Sequence, residues 1–205
     1  MNLGLYLLAA YLLGAIPTGY LAGKLLRGID IRKEGSGNMG ATNVLRVLGK
    51  GPGAFVLIFD ICKGAAAVAL LPLYFGIGGS WLLLGALAAV LGHNYTCFLG
   101  FKGGKGVATS AGVCIGLAPH AMLWVVIIFV VVTALSRMVS LGSLTAAAAL
   151  PLLVCYCGEV GALPPAPGQV FYLALALTLF IWLRHIPNMK RILAGTENKL
   201  GKKKA

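Results

Sequence analysis

Two glycine-rich segments of the sequence carry basic side chains that could bind a phosphate group. The first reads GSGNMGATNVLRVLGK (35–50) and contains Arg46, and the second reads GFKGGKG (100–106) and contains Lys102 and Lys105. Glycines let main-chain amide groups approach an anion closely, and lysine or arginine adds a full positive charge. We therefore expect amides of the first segment to ring an anion, and Lys102 and Lys105 to close a phosphate cradle.

Neither segment fits a nucleotide-binding motif. Gly35, Gly37 and Gly40 have the spacing GxGxxG, but no strand–helix–strand unit surrounds them, so a dinucleotide fold is excluded. GFKGGKG cannot be aligned with GxxxxGK[ST], because Lys105 stands where the second glycine is needed. A phosphate cradle without nucleotide hydrolysis is the remaining interpretation.

Polar side chains near these segments each have a structural alternative to a functional role. Ser36, Asn38 and Asn43 could bind a substrate, or they could cap helices and turns, as such residues commonly do. His185 ends the last apolar segment, and Asn188 follows it three residues later. This pair could act on a substrate or lie at an interface as structural side chains.

Asp60 and Lys63 are charged residues inside an apolar stretch. They are three residues apart, so a helix would place them on one face. Charges in a membrane segment are costly and commonly functional, but a mutual ion pair, with Lys63 extending toward the interface, would also satisfy them. Both are secondary site candidates, as are Asn43 and Lys102.

Missing residue types exclude several reactions. The chain has five acidic residues, too few for the carboxylate ligands of a two-metal phosphoryl-transfer centre. No histidine is followed five places later by aspartate, so the HxxxxD dyad of acyl-CoA-dependent acyltransferases is missing. The five cysteines form no CxxC pair and have no histidine at zinc spacing. We expect no metal and no cofactor, and a reaction between anions in which one substrate is already activated.

The composition is that of a membrane protein. Hydrophobic residues make up 59% of the 205 residues and charged residues 11%, against roughly a quarter charged in a globular domain. The net charge of +12 lies in loops between apolar stretches. Membrane lipids and phosphorylated substrates are therefore the expected partners, and nucleic acid is not.

The apolar stretches predict an all-α, polytopic transmembrane bundle that forms a single domain over residues 1–205. We expect about seven membrane segments, at 2–23, 53–75, 81–99, 107–118, 119–135, 139–157 and 169–186. The loops expected on the cytoplasmic side are 24–52, 100–106, 136–138 and 187–205.

The basic residues predict the orientation, because lysine and arginine collect in cytoplasmic loops. If 107–135 crosses twice, or dips in and returns, 16 of the 17 basic residues fall on one side of the membrane. If it crosses once, eight basic residues lie on each side of the membrane. We prefer a break near Pro119, with the N-terminus outside and the C-terminus cytoplasmic, and 107–118 either spanning or re-entrant.

Five stretches together resemble the bacterial acyl-phosphate-dependent glycerol-3-phosphate acyltransferase family. They are GSGNMGATNVLRVLGK, DICKG, GHNYTCFLGFKGGKGVATSAG, SLGS and IPNMKRILAGTENKLG, and they cover nearly the whole chain in the family's order. The resemblance implies transfer of a fatty acyl group from acyl phosphate to glycerol 3-phosphate, giving lysophosphatidic acid and phosphate. It also implies a bacterial cell (inner) membrane location with a cytoplasmic active site, and a soluble enzyme that supplies the acyl phosphate as a possible partner.

The same resemblance implies roles for particular residues. Arg46, Lys105 and Ser143 would bind glycerol 3-phosphate, and Glu197 would lie beside the pocket to orient Arg46 or the glycerol hydroxyls. The acyl phosphate and its carbonyl would be held by Ser36, Asn38, Gly35, Gly37, Gly40, His185 and Asn188. The attacking hydroxyl would lose its proton to a phosphate oxygen of the substrate.

Two other functions are alternatives to acyl transfer. A transporter of an anionic phosphorylated metabolite would explain a glycine-broken helix at 107–135, but transporters place polar groups near the midplane and often have two related halves. Here the polar groups cluster on one face and no internal repeat is visible. A metal-dependent alcohol phosphatidyltransferase is disfavoured by the shortage of aspartates.

The charge asymmetry predicts which loops are accessible from outside the cell. A cysteine probe in the GIGGS turn (76–80) or in the ALPPAPG connector (162–168) should react with an impermeant thiol reagent added outside, and a probe in the lysine tail (202–204) should not. Labelling of the tail from outside would overturn the predicted orientation.

Overall fold

The computed structural model describes residues 2–157 and 168–201, and these form helices, turns and loops without a strand. Glu159, most of the ALPPAPG connector and the lysine tail lie outside the described residues. The α-helices are α1 Leu3–Ala15, α2 Thr18–Arg27, α3 Ala41–Leu48, α4 Lys50–Ala69, α5 Leu71–Phe75, α6 Trp81–Asn94, α7 Val107–Leu117, α8 Pro119–Ser136, α9 Val139–Cys157, α10 Gln169–Arg184 and α11 Ile186–Leu193. Two 3₁₀ turns, Ile31–Lys33 and Cys97–Leu99, complete the regular structure of this part of the chain.

Four helices or joined helices in the described ranges are long and apolar enough to cross a membrane. They are Lys50–Phe75, Trp81–Leu99, Pro119–Ser136 and Val139–Cys157, and two bent pairs, α1 with α2 and α10 with α11, raise the number to as many as six. Many large apolar side chains face outward, such as Tyr74, Leu152 and Phe55. This is the pattern of a bundle whose outer surface contacts lipid instead of water.

The prediction of one unbroken segment over 2–23 differs from the structure. Pro17 has no main-chain N–H and interrupts the helix, so α1 ends at Ala15 and α2 continues to Arg27 at an angle of 40°. The segment predicted as a loop over 24–52 likewise contains the end of α2, α3 and the first residues of α4.

The predicted break near Pro119 is present. The helix α7 ends at Leu117, and Pro119 occupies the first turn of α8, where its missing N–H is no loss. The 11 residues of α7 rise only about 16 Å, well short of a hydrocarbon core of about 30 Å. At the other end of the chain, α10 ends at Arg184, and α11 follows at an angle of 60° within the range predicted as a loop.

Close helix packing depends on glycine where α4 meets α7. A β-carbon added at Gly64 would lie 2.1 Å from the carbonyl oxygen of Thr109, and one at Gly112 would lie 1.9 Å from that of Ile61. Two backbones can approach this closely only where neither helix has a side chain, which is a common arrangement in membrane bundles. The main apolar core lies between α6, α7, α8, α9 and α10.

A buried ion pair joins α4 to the break in the first span. The Lys63 ammonium lies 2.8 Å from Oδ1 of Asp60, and the two side chains are 1% and 3% exposed. Lys63 also donates to the carbonyl oxygen of Ile16 at 3.0 Å, and the Thr18 hydroxyl donates to Asp60 at 3.1 Å. The predicted ion pair is therefore present, but the Lys63 side chain stays buried and does not extend toward the interface.

Removal of one member of this pair should strongly destabilise the protein. Lys63→Ala leaves the Asp60 carboxylate buried without its counter-charge, which typically costs about 3–5 kcal/mol. We expect a lower melting temperature in detergent than for Lys50→Ala, which removes an exposed lysine of the same helix. The double variant Asp60→Leu with Lys63→Met should recover part of the loss. A Lys63→Ala protein that melts like Lys50→Ala would contradict this role.

Candidate active site

A cavity of about 440 Å³ is lined by residues of α3, α4, α6, α7, α8, α9, α10 and α11, of the loop before α3, and of the segments that follow α6 and α11. Eleven of the predicted site residues line it: Ser36, Asn38, Gly40, Asn43, Arg46, Asp60, Lys105, Ser143, His185, Asn188 and Glu197. Four predicted residues are not among the described lining residues: Gly35, Gly37, Lys63 and Lys102. Lys102 is exposed, although it is only three residues from Lys105.

Asn43 organises the loop that carries Ser36 and Asn38. This asparagine is 1% exposed, its Oδ1 accepts from the amide of Ser36 at 2.8 Å, and its Nδ2 donates to the carbonyl oxygens of Ile31 and Glu34 at 3.1 and 3.0 Å. Both functions of the side-chain amide are thus used within the loop. Asn43 thus makes the contacts of the structural alternative, and because it also lines the cavity, its contact with a substrate stays a prediction.

The main-chain amides of this loop are largely used inside it. The amide of Gly37 donates to Glu34, and the amide of Gly40 donates to Oδ1 of Asn38 at 2.7 Å. Together with the Ser36 amide, these groups have internal acceptors, so the expectation that they ring an anion needs correction. Gly35 has a φ of +60°, and a β-carbon there would lie 2.3 Å from Oδ1 of Asn43. That glycine permits the tight turn over Asn43.

Lys105 is a half-buried cation that lines the cavity. Its ammonium donates to Oδ1 of Asn188, which lies on α11 and is 5% exposed. Burial lowers the pKa of Lys105 to about 8, and the nearby Glu197 carboxylate opposes that shift. A bound anion would favour the charged form in the same way, so the site gains from a ligand with negative charge.

Glu197 accepts hydrogen bonds from three side chains of α9 and α11 near Lys105. Its Oε1 accepts from Nδ2 of Asn188 at 2.8 Å and from the Ser140 hydroxyl at 3.0 Å, and its Oε2 accepts from Nε of Arg191 at 2.8 Å. The expectation that Glu197 orients Arg46 is therefore replaced by a contact with Arg191. Through Asn188, Glu197 instead fixes the side chain that holds Lys105.

His185 has a defined tautomer when it is neutral. Its Nδ1 lies 2.8 Å from the carbonyl oxygen of Ile181, and a carbonyl can only accept, so Nδ1 carries the hydrogen. The lone pair is then on Nε2. The side chain is 3% exposed and lines the cavity, so this nitrogen can serve as an acceptor for a ligand.

Arg46 on α3 and Ser143 on α9 are two further predicted site residues that line the cavity. Arg46 is exposed on α3, with Nη1 3.5 Å from Oδ1 of Asn43, so its guanidinium is free to turn toward a ligand. Ser143 on α9 is 4% exposed, and its hydroxyl donates to the carbonyl oxygen of Val139 at 2.9 Å. Its oxygen can still accept one more hydrogen bond.

The other end of the cavity is apolar and opens sideways. Apolar side chains of α4, α7, α8, α9 and α10 line it, among them Cys114, Met122, Phe129 and Leu150. Leu150 lies two helical turns beyond Ser143, a distance of roughly 10 Å along α9. Leu57, Val126 and Val130 also line the cavity, yet they are 45%, 44% and 54% exposed. A ligand with a charged head and an apolar chain matches this shape.

Sequence reasoning missed several polar residues of the cavity. His93, Ser110 and Ser140 line it and are all buried. His93 and Ser140 had a signal, because each is a polar residue in an otherwise apolar segment. Among the described residues, no group of three or more His, Cys, Asp or Glu side chains is placed to hold a metal ion.

Comparison with known proteins agrees over nearly the whole chain. Residues 4–195 match the family described as glycerol-3-phosphate acyltransferase. Glycerol-3-phosphate acyltransferase 2 of Moorella thermoacetica is 48% identical over 200 residues, which are 97% of this chain and 98% of that protein. Glycerol-3-phosphate acyltransferase of a Nostoc species is 45% identical, over 98% of this chain and 92% of its own length.

Two crystal structures of PlsY (YgiH), an integral membrane glycerol 3-phosphate acyltransferase, have the same fold as this chain. The glycerol 3-phosphate form is 39% identical with a TM-score of 0.87, and the lysophosphatidic acid form is 38% identical with a TM-score of 0.86. Each comparison covers 98% of this chain and 96% of the other. The chain is therefore a helical membrane protein that belongs to the glycerol-3-phosphate acyltransferase family.

Proposed function

We propose that this protein transfers a fatty acyl group from acyl phosphate to a hydroxyl of glycerol 3-phosphate, giving lysophosphatidic acid and phosphate. The observation that supports it best is the lining of the cavity, which combines the half-buried cation Lys105 with many apolar side chains, three of which are also exposed on the outer surface. Both substrates carry phosphate, and one also carries a long apolar chain. The family membership supports the acceptor, and the absence of an HxxxxD dyad favours a donor other than acyl-CoA.

The two phosphates occupy different walls of the cavity in this proposal. Glycerol 3-phosphate binds to Arg46, Lys105 and Ser143, with Asn188 and Glu197 holding Lys105 in place. The acyl phosphate lies under the loop with Ser36 and Asn38, and its chain runs along the apolar end. Gly35, Gly37 and Gly40 shape that loop, while Lys102, Asp60 and Lys63 make no substrate contact.

The acyl transfer needs positioning and charge neutralisation more than a strong base. The hydroxyl oxygen attacks the acyl carbonyl carbon, the bond from that carbon to the phosphate oxygen breaks, and phosphate leaves with its bonding electrons. The proton of the hydroxyl ends on a phosphate oxygen. Acyl phosphate is a mixed anhydride with a good leaving group, so neither CoA nor a metal ion is required.

In this proposal His185 binds the attacking hydroxyl of glycerol 3-phosphate and not the acyl phosphate, which is the contact that the family resemblance implies. With Nδ1–H donated to Ile181, the Nε2 lone pair can accept the hydrogen bond of the attacking hydroxyl and aim its oxygen at the carbonyl. A lone pair would repel a phosphate oxygen. The position of His185 at the end of α10, between the polar and apolar parts of the cavity, agrees with this role.

The active site faces the cytoplasm in this proposal, with the N-terminus outside and about seven membrane segments in the bacterial cell (inner) membrane. The basic loops support this orientation, because such loops remain inside. Glycerol 3-phosphate then enters from the cytosol, and a soluble enzyme can deliver acyl phosphate at the same face.

The proposed donor can be tested with the purified protein. Acyl phosphate and glycerol 3-phosphate, without CoA or metal and with EDTA present, should give lysophosphatidic acid, detected by mass spectrometry. Acyl-CoA at equal concentration should be a poor donor. Efficient turnover of acyl-CoA, or loss of the rate with EDTA, would refute the proposed reaction. Uptake of glycerol 3-phosphate into sealed vesicles without acylation would instead favour the transporter.

The proposed phosphate contacts can be tested by Lys105→Ala and Arg46→Ala. Each should lower kcat/KM for glycerol 3-phosphate by about tenfold or more, because a charge-assisted hydrogen bond is worth roughly 1.5–3 kcal/mol. The apparent KM for glycerol 3-phosphate should rise more than that for acyl phosphate. The measurement belongs in neutral detergent, where attraction to anionic lipid plays no part.

Lys102→Ala is the matched control, since it removes an exposed lysine from the same loop. It should retain nearly the full kcat/KM. Equal losses in Lys102→Ala and Lys105→Ala would mean that these lysines contribute general positive charge and that Lys105 does not contact the substrate.

A further inference from the structure

The Gly103–Gly104 dipeptide, which precedes Lys105, is bonded on both sides. The amide of Gly103 donates to the carbonyl oxygen of Asn94 at 3.1 Å, and the amide of Gly104 donates to that of His93 at 3.0 Å. These acceptors are carbonyls of the last turn of α6, which have no partner within the helix. The loop amides are thus used by α6 and are not offered to a substrate.

Arg184 binds the opposite side of the same dipeptide. Its Nη2 donates to the carbonyl oxygens of Gly103 and Gly104 at 3.0 and 2.9 Å, and its Nε donates to that of Gly104 at 3.1 Å. The guanidinium also lies over the ring of Tyr95, 5.4 Å from its centre. This fork geometry is specific to arginine, because a lysine ammonium cannot reproduce the bidentate contact.

The dipeptide has no room to move between these two partners. A β-carbon at Gly103 would lie 2.1 Å from the carbonyl oxygen of His93, and one at Gly104 would lie 2.1 Å from Nε2 of His93. The backbone of the dipeptide packs against α6 on one side, and Arg184 of α10 donates hydrogen bonds to it on the other side. The Cα of Lys105 is the next in the chain, so its position follows from this clamp.

We propose that Arg184 is a positioning residue, which sets the reach of Lys105 into the cavity by holding the carbonyls of Gly103 and Gly104. Arg184 is not among the residues that line the cavity, so it acts through Lys105. The proposal rests on the proposed phosphate contact of Lys105.

The variants Arg184→Gln and Arg184→Lys test this role. Arg184→Gln should raise KM for glycerol 3-phosphate about tenfold or more, since a misplacement of about 1 Å at a reacting group can cost roughly a hundredfold. The KM for acyl phosphate should change little. Arg184→Lys should recover only part of the loss, because it keeps the charge but not the fork.

Arg27→Gln is the matched control. Arg27 is exposed, and it too donates to a backbone carbonyl, that of Val47, at 2.9 Å, but it does not line the cavity. Its removal should leave both KM values unchanged. Melting temperatures of all variants, measured in detergent, show whether each protein is folded.

A double-mutant cycle with Lys105→Ala decides whether Arg184 acts through that lysine. Calorimetric binding of glycerol 3-phosphate to the detergent-solubilised protein is the measurement, because it needs no acyl donor. We expect Arg184→Gln to weaken binding in the wild-type background and to have no further effect in Lys105→Ala. Multiplied losses in the double variant would overturn the positioning role and leave the proposed function intact. Unchanged binding in Lys105→Ala alone would refute the proposed phosphate contact, and the positioning role with it.

Discussion

The ion pair between Asp60 and Lys63 holds the first span against the wall of the candidate active-site cavity. Pro17 breaks that span, and at the break the carbonyl oxygen of Ile16 accepts from the Thr18 amide and from the Lys63 ammonium of α4, each at 3.0 Å. The redirected helix α2 packs so closely on Met39 that a β-carbon at Gly19 would lie 1.8 Å from the Met39 carbonyl oxygen. The loop with Ser36 and Asn38 therefore lies over the cavity because α2 is bent, and α2 is held at that bend by a charge pair in α4.

A second set of contacts brings the segment after α11 to the same cavity. Glu197 binds side chains of α9 and α11, and the amide of Leu200 donates to the carbonyl oxygen of Arg137 at 2.8 Å. The segment after α11 is thereby fixed across the cavity instead of trailing away. The Lys105 ammonium is held by Asn188, which Glu197 orients, so the position of this cation depends on residues more than 80 positions later in the chain.

Local sequence signals, together with the family resemblance, predicted the helical class, the break at Pro119 and most of the polar side chains that line the cavity. We did not predict the break at Pro17, although a proline followed by Thr18 and Gly19 within an apolar stretch is a signal for one. The use of loop amides could not be predicted, since it depends on Asn43 for one loop and on α6 for the other. Lys102 and Lys105 look equivalent in GFKGGKG, but Lys102 is exposed, whereas Lys105 is half-buried, lines the cavity and donates to Asn188. Such differences arise from contacts between residues far apart in the sequence.

In the proposed reaction, the exposed residues that line the cavity, Leu57, Val126 and Val130, place the acyl donor in a different phase from glycerol 3-phosphate. An acyl chain gains about 0.8 kcal/mol for each buried methylene, so a long-chain donor resides in the bilayer and approaches sideways, while glycerol 3-phosphate arrives from water. The donor concentration that the protein experiences is then a mole fraction of the surrounding lipid and not a bulk molarity. Added inert lipid or detergent dilutes the donor in two dimensions even when the amount in the tube is constant. Turnover by such an enzyme follows the kinetics of surface dilution for one substrate and ordinary solution kinetics for the other.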